Sequence, residues 1–230
     1  MENKLSHLLE VARTIVRLPV AQLDFRREIN PDDVIRMHRH FTKRHPRYLV
    51  FQNKSLGAAL LDLSRFPNRD EYMTALHNNA AVVLARKARK KGYQVVEIDR
   101  NGYVDQIDEI NNSLEMRQGR PMDPIYREKV TLFKNEKNFT YIGVLNPAGK
   151  LVSYGNLGLY GNFIAIDRLI GLRNNDGVMH MLVTEIVSRL IEQRKVRYLM
   201  YDTCFGANPG LLQFKTMLGF TPHRVNFTLQ

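Results

Sequence analysis

The chain has 230 residues, 44% hydrophobic and 25% charged, which suits a packed globular protein and excludes a disordered or fibrous one. No apolar run approaches the roughly 20 residues that span a bilayer, the first seven residues carry no apolar signal core, and the lone cysteine, Cys204, cannot form an internal disulfide, so a cytoplasmic setting is expected. A formal net charge of +11 points to an anionic partner: nucleic acid, a phosphorylated cofactor or an acidic membrane face.

Residues 1–17 place apolar side chains at 5, 8, 9, 12, 15 and 16, the stripe of an amphipathic helix closed by Pro19. Asn30, Pro31, Asp32 and Asp33 form a helix start, with a capping amide, a first-turn proline and two acids for the dipole. The helix is expected to run to Arg47 with a basic face of five Lys/Arg and three His in residues 36–47. His38 and His40 fall on different helix faces and no acid or cysteine joins them and His45, so the pattern does not predict a metal site. Residues 47–52 and 56–63 read as two strands about a short turn. Asn68 with Glu71 makes a capping-box start for one long helix through Lys91, stopped by Gly92. Its end, residues 86–91, carries five cations that either favour the helix dipole or track phosphates.

A strand is expected over 93–99, helices over 103–116 and 124–131, and a hairpin of 139–145 with 151–160 across Asn146, Pro147 and Gly149. Between the two helices Arg117 and Arg120 lie on a Gly/Pro-shaped loop, placed either for bidentate capture of a carboxylate or phosphate or as scattered surface charge. Residues 162–172 are rich in branched apolar side chains and read as a strand. A polar turn ending at Gly177 follows, then a helix over 178–193 with apolar positions 178, 182, 183, 186, 187, 190 and 191. A strand over 196–203, a short helix over 211–218 stopped by Gly219, and a strand over 222–229 complete the chain. The first amides of the helix after Gly177 lack intrahelical partners, so a phosphate or carboxylate would be favoured there, unless the turn is an ordinary connection.

From residue 93 onward this order resembles the GNAT superfamily of N-acetyltransferases. In that family the loop after the fourth strand carries Q/R-x-x-G-x-G/A and cradles the pyrophosphate of the donor. Here Asn174 stands for Gln/Arg with Arg173 one place early, Gly177 matches, and Met179 replaces the last small residue. Downstream the family often reads N-x-x-A-x-x-x-Y-x-x-x-G-F. Asn208, Gly219 and Phe220 keep that pattern, while Lys215 replaces the tyrosine acid and looks more like relatives of the Fem type, some of which take aminoacyl groups from tRNA. The resemblance implies an α/β (α+β) fold, a central mixed, splayed β-sheet flanked by helices. Residues 93–230 would form the acyltransferase domain and 1–92 a helix and hairpin extension packed on it.

It also implies a chemistry: acyl transfer from a thioester, acyl-CoA, to a small-molecule or peptide amine. The alternatives are aminoacyl transfer from charged tRNA and a non-catalytic module that binds RNA or a protein. Leu172, Arg173, Asn174, Gly177, Val178 and Met179 would hold the donor, and Arg117 and Arg120 the acceptor. Asp167 and Asp202, on the fourth strand and at the end of the fifth, are candidate bases. Asn208 and Lys215 complete the candidate catalytic set, Lys215 for charge stabilisation or acid work unless it is a solvated helix lysine. Cys204 has no histidine in a partner motif and reads as a buried structural thiol.

Overall fold

The computed structural model describes residues 15–45, 51–76, 79–117, 120–121, 124 and 127–230. One mixed sheet of eight strands runs through it. In chain order the strands are β1 (Val20–Phe25), β2 (Leu56–Asp62), β3 (Gln94–Glu97), the short pair β4 (Met116–Arg117) and β5 (Arg120–Pro121), β6 (Phe139–Leu145), β7 (Leu151–Leu159), β8 (Phe163–Gly171), β9 (Tyr198–Thr203) and β10 (Thr221–Leu229). In the sheet they lie in the order β1-β10-β2-β9-β8-β7-β6-β3, with β4 and β5 forming a separate ladder. Strands β3, β6, β7 and β8 are antiparallel neighbours, β8 and β9 run parallel, and β1 runs parallel to β10.

Local chemistry accounts for the turns. In the β6–β7 hairpin Asn146 Oδ1 accepts from the amides of Ala148 and Lys150, and Gly149 takes φ +76°, a left-handed value that suits glycine. The parallel β8–β9 pair needs a crossover, which is the long helix α5 (Val178–Gln193), and α6 (Pro209–Met217) connects β9 to β10. Residues before 93 contribute β1 and β2 to the same sheet, and β2 lies between β10 and β9, antiparallel to both.

Helices α1 (Pro31–Thr42), α2 (Arg69–Ala75), α3 (Ala80–Lys90) and α4 (Val104–Asn112) cover the two faces. On one face α3 and α5 pack around Leu157, Ile166 and Leu199. Helix α5 is buried almost all round, Met181, Leu182, Val183, Ile186 and Val187 included. Its two buried hydroxyls are satisfied within the helix, Thr184 donating to His180 O at 2.9 Å and Ser188 to Thr184 O at 2.7 Å. Each fully buried aliphatic side chain there contributes about 1.5–3 kcal/mol. On the opposite face α1 packs through Val34, Met37 and Phe41, and α4 through Ile107 and Ile110.

Several expected boundaries shift. The helix expected over 68–91 is two: Asn79 caps α3 by accepting from the Ala81 amide, and its amide group donates to Met217 O at 2.7 Å. An Asn competes with the helix for backbone groups, and here a tertiary acceptor decides the break. Helix α1 stops at Thr42 rather than Arg47, because Lys43 turns out at ψ 152° and Arg44 bridges to Gln52. Asn30 sits at the N-cap without a capping bond; its amide donates to Asn138 Oδ1 at 2.8 Å instead. The helix expected over 103–116 is a 3₁₀ turn, Arg100–Tyr103, followed by α4, which ends at Ser113 with its hydroxyl on Ile110 O. Of the helix expected over 124–131, residues 127–131 are not helical. Val130 and Leu132 are exposed there, so no apolar face is available to stabilise so short a helix. Most of the 47–52 strand and residues 1–14 lie outside the described residues.

Candidate active site

The parallel pair β8–β9 is hydrogen-bonded over three registers only, Phe163↔Tyr198, Ile164↔Leu199 and Ala165↔Met200. Both strands then bulge against their outer neighbours. On β8, Asn156 faces Arg168 and Leu157 faces Ile166, leaving Asp167 as the extra residue; on β9, Tyr201 and Asp202 fall between the registers of Met200 and Thr203 with β2. A bulge bends and twists its strand, and two bulges on facing strands at the same height splay the sheet. The gap opens into a cleft of about 700 Å³ lined by Leu169, Gly171, Leu172, Arg173, Asn174, Gly177, Val178 and Met179, with walls from Leu84, Leu114, His180, Tyr201 and Phe214.

The N-terminus of α5 stands at this cleft. Gly177 caps it at φ +83°, and a Cβ there would collide with the backbone carbonyl of Leu84 on α3, so the position excludes a side chain on two counts. The loop before it is fastened. Asn174 Oδ1 accepts from the Asp176 amide at 3.1 Å, Lys87 Nζ donates to Asn175 O at 2.7 Å, Lys91 pairs with Asp176, and Tyr93 OH donates to Asp176 Oδ2 at 2.9 Å. The bonds from Lys91 and then Tyr93 hold the Asp176 carboxyl below its usual range. Two lysines of the basic 86–91 run are therefore anchors of the loop before α5, a third use beside the dipole and phosphate roles. The first-turn amides and the positive end of a 16-residue helix make this the natural seat for an anion.

Across the gap, Lys215 of α6 is buried, at 1% exposure, not solvated. Its ammonium donates to Thr203 O at 2.8 Å and lies 4.6 Å from the Tyr201 ring centre. Burial pulls its pKa down, while Asp202 and Cys204 act in the other direction. Tyr201 stands edge-on to Phe214 and Phe220, and His180 edge-on to Phe214 at 4.9 Å. Burial lowers the His180 imidazole from its ordinary 6.5. Asn208 caps α6, its Oδ1 accepting from the Leu211 amide at 2.8 Å. Cys204 is buried, and burial raises its thiol.

The two candidate bases take equivalent places on facing strands, each two residues beyond the last β8–β9 pair. Asp167 is exposed in its bulge. Asp202 is also exposed, sits at φ +52° and pairs with Lys54. Arg117 and Arg120 face one another across the β4–β5 ladder, and their side chains lie outside the described residues. His38 packs edge-on against Phe25 and His40 against Phe41. Among the described residues no three His, Cys, Asp or Glu side chains gather as metal ligands, and no helix is long and apolar enough to cross a membrane. The aromatic wall of His180, Tyr201 and Phe214 is absent from the sequence-based site; its residues come from three elements that spacing alone does not bring together.

A mixed sheet splayed between parallel central strands, with a helix N-terminus at the mouth of the gap, is a GNAT-like fold, and a likeness to FemX supports it. FemX aligns at a TM-score of 0.56 with 12% identity, over 73% of this chain and 59% of that one. A tandem GNAT protein from the clavulanic acid biosynthesis pathway aligns at 0.47 and 17%, over 73% and 50%. The C-terminal domain of a putative lysylphosphatidylglycerol synthetase from Agrobacterium fabrum aligns at 0.43 and 15%, over 72% and 57%. The chain spans about half the length of these three structures, and at 12% identity the likeness to FemX speaks for the fold alone. No family model matches the chain, and no curated protein does.

Proposed function

We propose that this chain is a GNAT-type acyltransferase that passes an acyl group from a thioester, acyl-CoA, to an amine. The observation that carries the reading is the cleft between β8 and β9 with the N-terminus of α5 at its mouth. The donor's phosphates sit on the first amides of α5 beside Arg173, and its acyl arm runs along Leu169 to Leu172. Backbone amides beyond the last β8–β9 register polarise the carbonyl. Asp167 takes a proton from the incoming ammonium; Asp202, committed to Lys54, is the second choice. The neutral nitrogen attacks the thioester carbon, the tetrahedral adduct collapses, and the carbon–sulfur bond breaks to release the thiol. Buried Lys215 holds the Thr203 carbonyl and thereby the end of β9, a positioning role. The single buried thiol suits a reducing cytoplasm.

A second reading, aminoacyl transfer from charged tRNA, is favoured by Lys215 at the tyrosine position and by the net charge of +11. Calorimetric titration with CoA and with charged and uncharged tRNA separates the two. The thioester reading expects saturable CoA binding that Arg173→Glu weakens at least tenfold, about 1.4 kcal/mol, with the fold unchanged. Absent CoA binding together with tight binding of charged tRNA replaces it by the second reading.

A further inference from the structure

A second opening lies at the end of α5 away from the donor cleft. It is a groove of about 580 Å³ where the stretch after β2, the β7–β8 turn and the α5–β9 link meet. The 16 residues of α5 set it about 24 Å from the donor seat, at 1.5 Å of rise per residue. Its walls are fastened by backbone. Arg197 N donates to Asn162 O at 2.8 Å, Leu63 N to Arg197 O at 2.8 Å, and Arg26 N to Tyr160 O at 2.7 Å. The apolar part of the lining is Leu63, Leu190, Ile191 and Val196, all buried, with half-buried Phe66 next to exposed Pro67.

Four exposed cations stand around that lining, Arg26, Arg194, Lys195 and Arg197, and no Asp or Glu lines the groove. Among the described residues only Arg197 of the four has an acidic partner, Asp62 at 3.0 Å. Arg194 is fixed by a neutral acceptor, its Nη2 donating to Pro67 O at 3.0 Å. It stands at φ +52°, a left-handed position after a helix where glycine is the ordinary choice. The dipole of α5 accounts for a cation at the helix C-terminus. It does not account for Arg26, which arrives from the end of β1. A cleft lined by one sign of charge over apolar walls focuses its field and gathers counter-ions.

We propose that this groove binds a nucleoside polyphosphate, separately from the donor cleft. Arg26, Arg194 and Lys195, the cations without an acidic partner, take the phosphate chain, whose oxygens suit the guanidinium fork. The apolar lining takes the base by contact area. The base edge is not read, because the uncharged polar side chains of the lining are engaged. Ser64 Oγ donates to Asp62 at 2.6 Å, and Asn162 accepts from Asp24 N and donates to Gln22 O. The volume falls in the ~300–1,000 Å³ range of small-molecule pockets. A bare phosphate chain leaves the apolar lining uncovered, and a bare nucleoside leaves the cations unmatched, so the site needs both parts.

Binding here is separable from donor binding by residue. ATP, UTP, adenosine and inorganic tripolyphosphate are titrated into the full chain by calorimetry, beside CoA. ATP binds at least tenfold tighter than adenosine and than tripolyphosphate, and UTP binds within a few-fold of ATP. Arg26→Gln with Lys195→Gln, at two exposed positions, weakens ATP at least tenfold. The same variant keeps CoA within about threefold and the melting temperature unchanged. Arg173→Glu, at the donor cleft, leaves ATP within about threefold. Absent ATP binding, equal binding by adenosine or tripolyphosphate, or ATP binding untouched by the paired groove variant overturns the proposal. ATP binding that Arg173→Glu abolishes overturns it as well, by placing the nucleotide in the donor cleft. If CoA binds and the groove tests fail, only the groove falls; if ATP behaves as stated and CoA does not bind, the groove stands and the donor is another.

Discussion

Asp167 and Asp202 stand at the same height on the two parting strands, neither among the residues that line the cleft, and their surroundings separate them. Asp202 is held by Lys54 at a left-handed backbone position, whereas Asp167 stands exposed at a bulge. Asp167→Asn should lower turnover by roughly 10²–10⁴ with the CoA dissociation constant unchanged, while Asp202→Asn should have a smaller effect. Steady-state kinetics of the two variants beside donor titrations decide it; full activity in Asp167→Asn removes it as base. His180 offers a second residue-scale expectation. Its folded pKa is below 6.5, so between that lowered value and 6.5 the unfolded chain binds the extra proton and stability rises with pH. His38 and His40 are lowered too, with burial first in each. Melting temperatures should therefore fall as pH drops from about 7 towards 5, the range in which histidine titrates, and His180→Leu should fall less. An identical fall in the variant would show that His180 does not contribute.

At the scale of elements, the helix after β8 and its glycine start were legible in the sequence. The apolar spacing of residues 178–191 is helical, and a polar turn ending in glycine signals a helix entry. What Gly177 makes room for was not legible. Its close neighbour is the Leu84 carbonyl of α3, contributed by a helix more than ninety residues earlier. Gly177→Val should consequently destabilise the protein as well as weaken donor binding, and so makes a poor probe of the loop. Lys87→Met with Lys91→Met is the better one. It unfastens the loop from α3 by removing a hydrogen bond and an exposed ion pair, the pair worth about 0.2–1 kcal/mol. Hydrogen exchange at residues 174–177 should quicken, CoA should bind a few-fold more weakly, and the melting temperature should move little. Unchanged exchange there would mean that the loop holds its shape by itself. The same limit explains the bulge on β8. Asp167 is an ordinary strand residue until the register with β7 is known, and register is a long-range property that one sequence does not print.

For the whole molecule, charge separates the donors. CoA brings a few phosphates to one site, and tRNA presents a backbone that only an extended basic surface follows. Neutralising Arg39, Lys43 and Arg44 with Arg86 and Lys90 leaves the loop anchors Lys87 and Lys91 intact. CoA binding should then stay within about threefold, the scale of screened long-range charge. Binding of tRNA would instead lose up to about one unit of log–log salt slope for each phosphate contact removed. Titrations at two salt concentrations read the difference, and a steep, salt-dependent loss with tRNA as the only ligand would reverse the choice of donor. The sheet as a whole was half visible beforehand. The hairpin and crossover from 139 to 203 follow from local patterns, whereas nothing local tells β2 to enter between β9 and β10. Leu60 pairs with Met200, and such a partner is chosen by tertiary packing.

That placement has a consequence for the way the protein is made. Strands β1 and β2 are both neighbours of β10, and β10 is translated roughly 160 residues after β2. At about 5–20 residues per second, β1 and β2 spend on the order of ten to thirty seconds outside the ribosome without the strand that lies between them. Bare strand edges invite wrong partners. A nascent chain of this protein therefore needs shelter during that interval, and arrest of synthesis just short of β10 should leave an aggregation-prone intermediate that chaperones hold.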